Sequence, residues 1–328
     1  MKVIALLPVR NEAWVLEHSL SCLSAFCDVV IVSDQGSTDG SQEICRRFPK
    51  VHLLETPRGQ TTDLLPKHAR WRLLDAARQY DGNNLLWCTD ADELISPASV
   101  RTFLAAHAGE LIAPRAIQCR YIHLWKRMHR FRHDLSPYGP KWKVVAVVDD
   151  RRMDYPRDPG APPLHEPRTP MDIDPHVLSA GDLHLLHLQY AAWQRNQMKQ
   201  AWYRSLEQLD GRATAAEINE KYGITMSPFF SRTKPVPPAW LDGLTLPSER
   251  VDDEPGWHDA EMLRLFDERG IEFFEPLQIW HLRRLRDEFR RRTGRDPRPD
   301  RSHIAPMSKR VSRFGRRILA AVRRQVAR

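Results

Sequence analysis

Several features that would place the chain in a large class of proteins are scarce or absent in its sequence. Only five of the 328 residues are cysteines and none forms a CxxC pair, which disfavours a disulfide framework or a zinc site and predicts reduced core thiols. No uninterrupted apolar run approaches the length that spans a bilayer. The first apolar run holds Pro8 and meets Arg10 and Glu12 instead of a small-residue cleavage site. We therefore interpret it as a strand and expect a cytoplasmic protein.

The excess of positive charge is confined to one end of the chain. The formal net charge is +8, and the segment from Lys309 to Arg328 contains eight Lys or Arg and no acidic residue. Without this segment the chain has 42 basic and 42 acidic residues. We therefore do not expect nucleic acid as a partner of the body of the protein.

The first hundred residues alternate between strand and helix patterns. The strand patterns cover 3–7, 28–33, 51–54 and 85–88, and the helical ones cover 12–26, 41–48 and 67–80. Such alternation predicts the α/β class, with a mainly parallel sheet and helices on both faces. Helical patterns at 191–209 and 259–269 predict a helical extension towards the C-terminus. Residues 128–175 have little regular pattern, and we interpret them as binding loops.

Polar clusters follow three of the predicted strands directly. They are Arg10–Glu12, Asp34–Asp39 and Asp90–Glu93. In a parallel sheet the carboxyl ends of the strands meet at one edge, and ligands bind beyond that edge. We therefore expect the three clusters to lie on one rim.

The stretch LLWCTDADEL places three carboxylates after a buried strand, on Asp90, Asp92 and Glu93. Mg²⁺ and Mn²⁺ prefer oxygen ligands, bind through one or two carboxylates and complete their shells with substrate phosphates. A solvated acidic turn or a helix N-cap would have the same sequence. The motif alone leaves both interpretations open.

Three stretches in order, LLPVRNEAWVLEHSL, VVIVSDQGSTDGS and LLWCTDADEL, resemble the family 2 glycosyltransferases, which have the GT-A fold and a DxD motif. The resemblance is good over residues 1–100 and weaker over 140–205, where HLLHLQYAAWQRNQMKQAWYRSLE carries it. It implies sugar transfer from a nucleotide-diphosphate sugar to a hydroxyl of a glycan, lipid-linked or cell-surface polysaccharide acceptor, with Mn²⁺ or Mg²⁺ as cofactor. We expect inversion by direct displacement. The alternative is an inactive nucleotide-sugar-binding or scaffold protein with the same fold.

The resemblance also implies roles for residues at the strand ends. The nucleotide-sugar pocket would contain Pro8, Arg10, Glu12, Asp34, Asp90 and Ala91. Asp92 would hold the metal, and His187 matches a histidine that the family carries after the sheet. A satisfied core histidine is the alternative for His187. Where the family has a second aspartate after the second strand this chain has Gln35, which leaves the nucleotide base open.

Direct displacement needs a base that takes the proton of the acceptor hydroxyl. Glu166 in the stretch PPLHEPRTP is our candidate, and Asp149 and Asp150 are its rivals. A surface carboxylate without a catalytic role is the other interpretation of Glu166.

Basic residues outside the acidic motif are candidates for diphosphate contacts. Arg195 and Lys199 are four positions apart on one face of a predicted helix, and a solvated basic face is the alternative. Arg70 and Arg72 offer the same chemistry. For Asp39 we favour a helix N-cap over a ligand contact.

Three regions are expected along the chain. Residues 1–205 would form the nucleotide-sugar-binding catalytic domain, 206–295 a helical extension on the acceptor side, and 296–328 a linker and basic amphipathic tail. The tail has an apolar stripe flanked by arginines, which is typical of a helix that binds anionic lipid on the inner face of a membrane. A helix packed on the domain and a disordered end are its alternatives.

Overall fold

The computed structural model describes residues 1–56, 66–136, 138–155, 168–170, 176–226, 231–252 and 256–299. Their strands are β1 Val3–Val9, β2 Val29–Asp34, β3 Val51–Leu54, β4 Leu85–Cys88, β5 Glu93–Leu94, β6 Arg115–His123, β7 Arg130–Arg132, β8 Lys141–Val148, β9 Val177–His187 and β10 Thr233–Pro235. Their α-helices are α1 Ala13–Ser24, α2 Ser41–Arg46, α3 Pro66–Ala77, α4 Pro97–Ala106, α5 Trp193–Asp210, α6 Ala215–Met226, α7 Trp257–Arg269 and α8 Arg283–Thr293.

One large sheet organises the N-terminal part of the described chain. Its strand order is β3-β2-β1-β4-β8-β6-β9-β5. The pairs β1–β2, β2–β3, β1–β4 and β6–β9 are parallel, whereas β4–β8, β6–β8 and β5–β9 are antiparallel. The prediction of an α/β fold with a mainly parallel sheet is therefore confirmed.

Helices cover both faces of this sheet, as predicted. Alternate residues of a strand point to opposite faces. Ala5 and Leu7 of β1 pack in one core with the buried residues of α1. Ile4 and Leu6 pack in another core with Leu73 of α3.

β1 continues through Pro8 to Val9, two residues beyond the strand pattern predicted at 3–7. Leu6 O accepts a hydrogen bond from Thr89 N beside β4, and Val9 O accepts one from Gln35 N beside β2. Pro8 therefore directs its nitrogen towards β4, beyond the last residue that β1 pairs with there. The missing N–H removes no sheet hydrogen bond, so the strand continues to Val9.

The interpretation of residues 128–175 as irregular was wrong for β8, which lies between β4 and β6. Its apolar run VVAVV is short and flanked by residues rich in charge and proline, which conceal the pattern. The histidine stretch expected after the sheet is likewise part of it, in β9. β5 pairs only with the last two residues of β9, so the first half of β9 has β6 as its described neighbour in the sheet.

The described chain divides into two compact units. Among the described residues, those of unit 1 fall within 1–132, 140–191 and 234–251, and those of unit 2 fall within 133–139, 192–233 and 252–299. In unit 2 the described helices α5 to α8 enclose a core of aromatic side chains that includes Trp202, Phe266, Phe274 and Phe289. The helical extension is thus confirmed as a structural element, and the predicted domain boundaries stay a prediction. Among the described helices, none is long and apolar enough to cross a membrane.

The burial of all five thiols gives a first testable prediction. Every cysteine is unpaired and buried, and burial raises the pKa of Cys22, Cys45 and Cys119 to about 12 and that of Cys88 to about 11. Because the thiolate is the reactive form, the native protein should react with a thiol-specific chromogenic reagent at a small fraction of the denatured rate. The denatured chain should release five equivalents. Rapid reaction of the native protein would contradict the burial.

Candidate functional site

The first two polar clusters lie against each other at the carboxyl ends of β1 and β2. Asn11 N donates to Ser37 Oγ (2.9 Å), and Asn11 Oδ1 accepts from Thr38 N (2.7 Å). Asn11 has a φ of 54°, a left-handed conformation that asparagine tolerates better than most residues. The expected convergence of these two clusters is therefore present.

Asp34 is buried and organises the turn after β2. Its carboxylate accepts hydrogen bonds from Gly36 N (3.0 Å), Ser37 N (3.1 Å) and the Gln42 side chain (2.6 Å). The turn places the amide-rich segment 35–38 on the rim. Asp34 thereby fixes the conformation of the turn at this edge of the sheet.

Asp39 binds the first amides of two helices. Its carboxylate accepts from Ala13 N of α1 (2.9 Å) and Ser41 N of α2 (3.1 Å). The prediction of Asp39 as the N-cap was wrong by one residue, since Gly40 with φ 97° occupies that position. Asp39 nevertheless stabilises the N-termini of both helices, which is the kind of role expected of an N-cap residue.

The other N-terminal candidates lie on the same rim. Pro8 is half-buried in β1 and Arg10 is half-buried directly after it. Glu12 is the N-cap of α1, and its Oε2 accepts a hydrogen bond of 2.6 Å from Trp14 Nε1.

The centre of the site is a buried ion pair between Glu93 and Arg168. Both terminal nitrogens of Arg168 donate to the Glu93 carboxylate. The same carboxylate accepts from Tyr121 OH (2.8 Å), Thr89 Oγ1 (3.0 Å) and Asp90 N (3.0 Å). Burial alone would raise the pKa of Glu93, but the charge and hydrogen bonds of Arg168 lower it to about 2. The carboxylate is therefore ionised and fully bound.

Asp90 lies between two arginines. Arg70 Nη2 donates to Oδ1 (3.1 Å) and Arg168 Nη2 donates to Oδ2 (3.0 Å). Arg70 also donates to the backbone oxygen of Arg168 (3.2 Å), which ties α3 to the segment 168–170. Burial opposes ionisation of Asp90, but Arg168 and then Arg70 lower its pKa below the usual range. Ala91 is buried beside it.

Asp92 and His187 are brought together by strand pairing. Glu93 of β5 pairs with His187 of β9, and Asp92 O accepts from Leu188 N (2.8 Å). His187 Nε2 consequently lies 3.4 Å from Asp92 Oδ2. The other ring nitrogen, Nδ1, lies 2.9 Å from His123 Nδ1.

This pair suits an octahedral divalent ion as two of its ligands. Adjacent ligands at about 2.1 Å from Mg²⁺ lie roughly 3 Å apart, close to the separation seen here. Within the described ranges, no group of three or more His, Cys, Asp or Glu side chains is assembled for a metal. Two protein ligands with several non-protein oxygens are the usual arrangement for this ion.

Asp149 and Asp150 lie at the opposite edge of the sheet. Because β8 runs antiparallel to β4, its carboxyl end lies beside the start of β4. Asp149 accepts two hydrogen bonds of 2.9 Å from Arg78, and Asp150 accepts from the backbone N of Arg152 (2.9 Å). The hypothesis that either is the catalytic base is therefore wrong.

Four further candidates were predicted from the sequence. Glu166 lies outside the described residues. Arg195 and Lys199 are half-buried on α5 in unit 2. Arg72 is exposed on α3 and donates to Thr56 Oγ1 (2.9 Å).

Three residues of the site were missed by sequence reasoning. They are Arg168, Tyr121 and His123. A signal for Arg168 was present, because carboxylates that follow a buried strand need cations and Arg168 stands in the stretch that holds Glu166. Tyr121 and His123 gave no signal, since β6 itself was not recognised.

Residues 5–145 match the model of glycosyl transferase family 2. No curated protein sequence matches the chain significantly. The sheet with helices on both faces is that of the GT-A fold, and the family match supports a glycosyltransferase domain. This similarity to glycosyl transferase family 2 extends over residues 5–145, which is less than half of the chain.

Solved structures of similar proteins resemble the chain only in part. Residues 1–349 of S. aureus TarS are 15% identical, with 91% of this chain and 93% of that chain covered and a TM-score of 0.38. Glucosyl-3-phosphoglycerate synthase from Mycobacterium tuberculosis, in complex with Mn²⁺, uridine diphosphate and glucosyl-3-phosphoglycerate, is 23% identical with a TM-score of 0.27. That match covers 37% of this chain and 44% of the synthase, less than half of its length.

Removal of one partner of the central ion pair should be strongly destabilising. Arg168→Met leaves the Glu93 charge buried without its cation, which typically lowers the free energy of unfolding by about 3–5 kcal/mol. The double variant Glu93→Gln/Arg168→Met should be more stable than Arg168→Met alone, as measured by urea unfolding. As a control, Arg152→Met breaks an exposed pair and should change stability by less than about 1 kcal/mol. Equal effects of Arg168→Met and Arg152→Met would contradict the structure.

The same pair predicts a dependence of stability on pH. The pKa of Glu93 is about 2 in the folded protein against an ordinary value of 4.5. Its contribution is therefore complete above pH 4.5 and disappears as the pH falls towards 2. Glu93→Gln should lose less stability than the wild type across that window. Parallel pH profiles of the two proteins would contradict the prediction.

Proposed function

We propose that the protein is an active glycosyltransferase that moves a sugar from a nucleotide-diphosphate sugar to a hydroxyl acceptor, with inversion and with a divalent cation. The acceptor would be a glycan, a lipid-linked sugar or a cell-surface polysaccharide. The observation that carries this proposal is the Asp92–His187 pair, 3.4 Å apart, beside an arginine-bound Asp90 at the carboxyl ends of the strands. A solvated acidic turn would not enclose its carboxylates in this way.

Asp92 and His187 are the proposed ligands of Mn²⁺ or Mg²⁺. When bound, the ion neutralises the charge that develops on the leaving diphosphate. Of the two Nδ1 atoms of His187 and His123, one must donate and the other accept. The tautomer in which His187 donates leaves its Nε2 lone pair towards Asp92, so His123 orients the proposed ligand.

The nucleotide-sugar pocket is proposed to include Pro8, Arg10, Glu12 and Asp34 on one side. Arg70, Asp90 and Ala91 form the other side. Arg70 and Arg168 keep Asp90 ionised and hold its carboxylate in one orientation, which suits an acceptor of hydrogen bonds from sugar hydroxyls.

Glu166 is the proposed base. It precedes by two positions Arg168, which the structure fixes at the acidic motif. A Glu166→Gln variant should bind donor with affinity close to wild type and lose most of its transfer rate, because a positioned base contributes about 10²–10⁴-fold.

The remaining expectations are also proposals. Arg195 and Lys199 would contact the diphosphate, residues 206–295 would lie on the acceptor side, and the tail in 296–328 would bind an anionic membrane surface. The corresponding location is the cytoplasm, at the inner face of the membrane.

Nucleotide diphosphates should stabilise the wild type in a Mn²⁺-dependent manner. A ligand at about 100 times its Kd adds roughly 2.7 kcal/mol, which raises Tm by several degrees. Asp92→Asn should abolish the Mn²⁺-dependent part of this shift and sugar transfer with it. Asp75→Asn, at an exposed position on α3, is the matched control and should behave as wild type.

Two outcomes would count against the proposal. Undiminished sugar transfer by Asp92→Asn would contradict the metal assignment. Nucleotide binding by the wild type without donor hydrolysis or transfer would favour the inactive binding protein.

A further inference from the structure

Lys143 lies on the face of the sheet that carries the acidic motif. It belongs to β8 and pairs with Cys119 of β6, two positions before Tyr121. Its Nζ lies 3.9 Å from the centroid of the Tyr121 ring. The hydroxyl of that ring donates to Glu93 (2.8 Å), so one aromatic ring separates the ammonium from the central ion pair.

The surroundings of Lys143 are cationic. Lys141 Nζ lies 5.5 Å and the Arg168 guanidinium carbon 5.8 Å from the centroid of the same ring. Glu93 is bound by Arg168, and Asp90 by Arg168 and Arg70. In the described part of the chain no carboxylate lies within ion-pair distance of Lys143.

The charged form of Lys143 is therefore unfavourable unless a further anion binds beside it. Burial, and then the Arg168 charge, lower the pKa of Lys143 to about 8, although Glu93 and Asp90 act in the opposite direction. Tyrosine attracts a cation through its ring face, but that interaction is weak compared with an ion pair. An ammonium in such a place is suited to a ligand that brings negative charge.

We propose that Lys143 binds a phosphate group of a substrate, with Arg168 and Lys141 adding positive potential around it. An ammonium is a compact charge with three donors, which suits phosphate oxygens. The inference rests on the proposed function, because that reaction offers phosphate from two sources. One is the diphosphate of the donor, and the other is a phosphorylated acceptor.

Protection of Lys143 from acetylation tests the proposal directly. The wild-type protein is trace-labelled at pH 8 with acetic anhydride, and mass spectrometry compares Lys143 with the exposed Lys234. The probes are Mn²⁺ alone, inorganic phosphate without metal, and pyrophosphate with Mn²⁺. At about ten times the Kd of a probe, the labelling rate of Lys143 should fall roughly tenfold and that of Lys234 should not change.

The pattern of protection distinguishes the sources. If Lys143 is protected only by pyrophosphate together with Mn²⁺, it binds the diphosphate of the donor. If inorganic phosphate without metal protects it, Lys143 binds a phosphorylated acceptor. Unchanged labelling of Lys143 with both phosphate probes overturns the proposal.

Variants give a second measurement. Thermal stabilisation by the protecting probe should fall in Lys143→Gln, persist in Lys143→Arg and be unaffected in Lys234→Gln. Equal stabilisation of Lys143→Gln and wild type overturns the proposal. Failure of the Lys143 proposal can be told from failure of the proposed function. If the phosphate probes protect Lys143 but no sugar is transferred, the proposed function is wrong. If sugar transfer depends on Asp92 but no probe protects Lys143, only the role of Lys143 is wrong.

Discussion

The buried pair of Glu93 and Arg168 is the constraint on which the site depends. A carboxylate in this position is tolerable only with a cation and a full set of donors, and Arg168, Tyr121 and Thr89 supply them. The pair joins β5 to the segment 168–170, and Arg70 then joins that segment to α3. A buried ion pair adds little net stability, because desolvation of the two charges offsets their attraction. Here the pair fixes the geometry of the acidic motif.

The three carboxylates of the motif consequently have different environments. Glu93 is fully bound inside the protein, and Asp90 is held by two arginines while remaining partly exposed. Asp92 faces His187, whose position follows from the pairing of β5 with β9. One short stretch thus provides a structural anchor, an oriented hydrogen-bond acceptor and a proposed metal ligand. Three cations, Arg168, Lys141 and Lys143, lie around the Tyr121 ring beside this motif.

The strand ends and their polar clusters were predictable because they depend on local patterns. Val51–Leu54 and Leu85–Cys88 begin and end where the sequence places them, and α1 and α2 differ only at their ends. The partners of the motif were not predictable. Tyr121 and His187 reach it through pairing between β6, β9 and β5, and Arg168 reaches it from 75 residues away. No periodicity within a short window encodes such contacts, and β8 was concealed by its polar flanks.

The central proposal is that Asp92 and His187 hold one divalent ion at the rim of the GT-A sheet. Mn²⁺ binding, followed by electron paramagnetic resonance in the presence of a nucleotide diphosphate, tests it most directly. The account predicts one bound ion per wild-type chain and at least tenfold weaker binding in both His187→Gln and Asp92→Asn. Loss of a direct ligand should cost no less than loss of an outer-shell partner, which typically weakens binding by about 10–100-fold. Wild-type affinity for Mn²⁺ in either variant would contradict the claim.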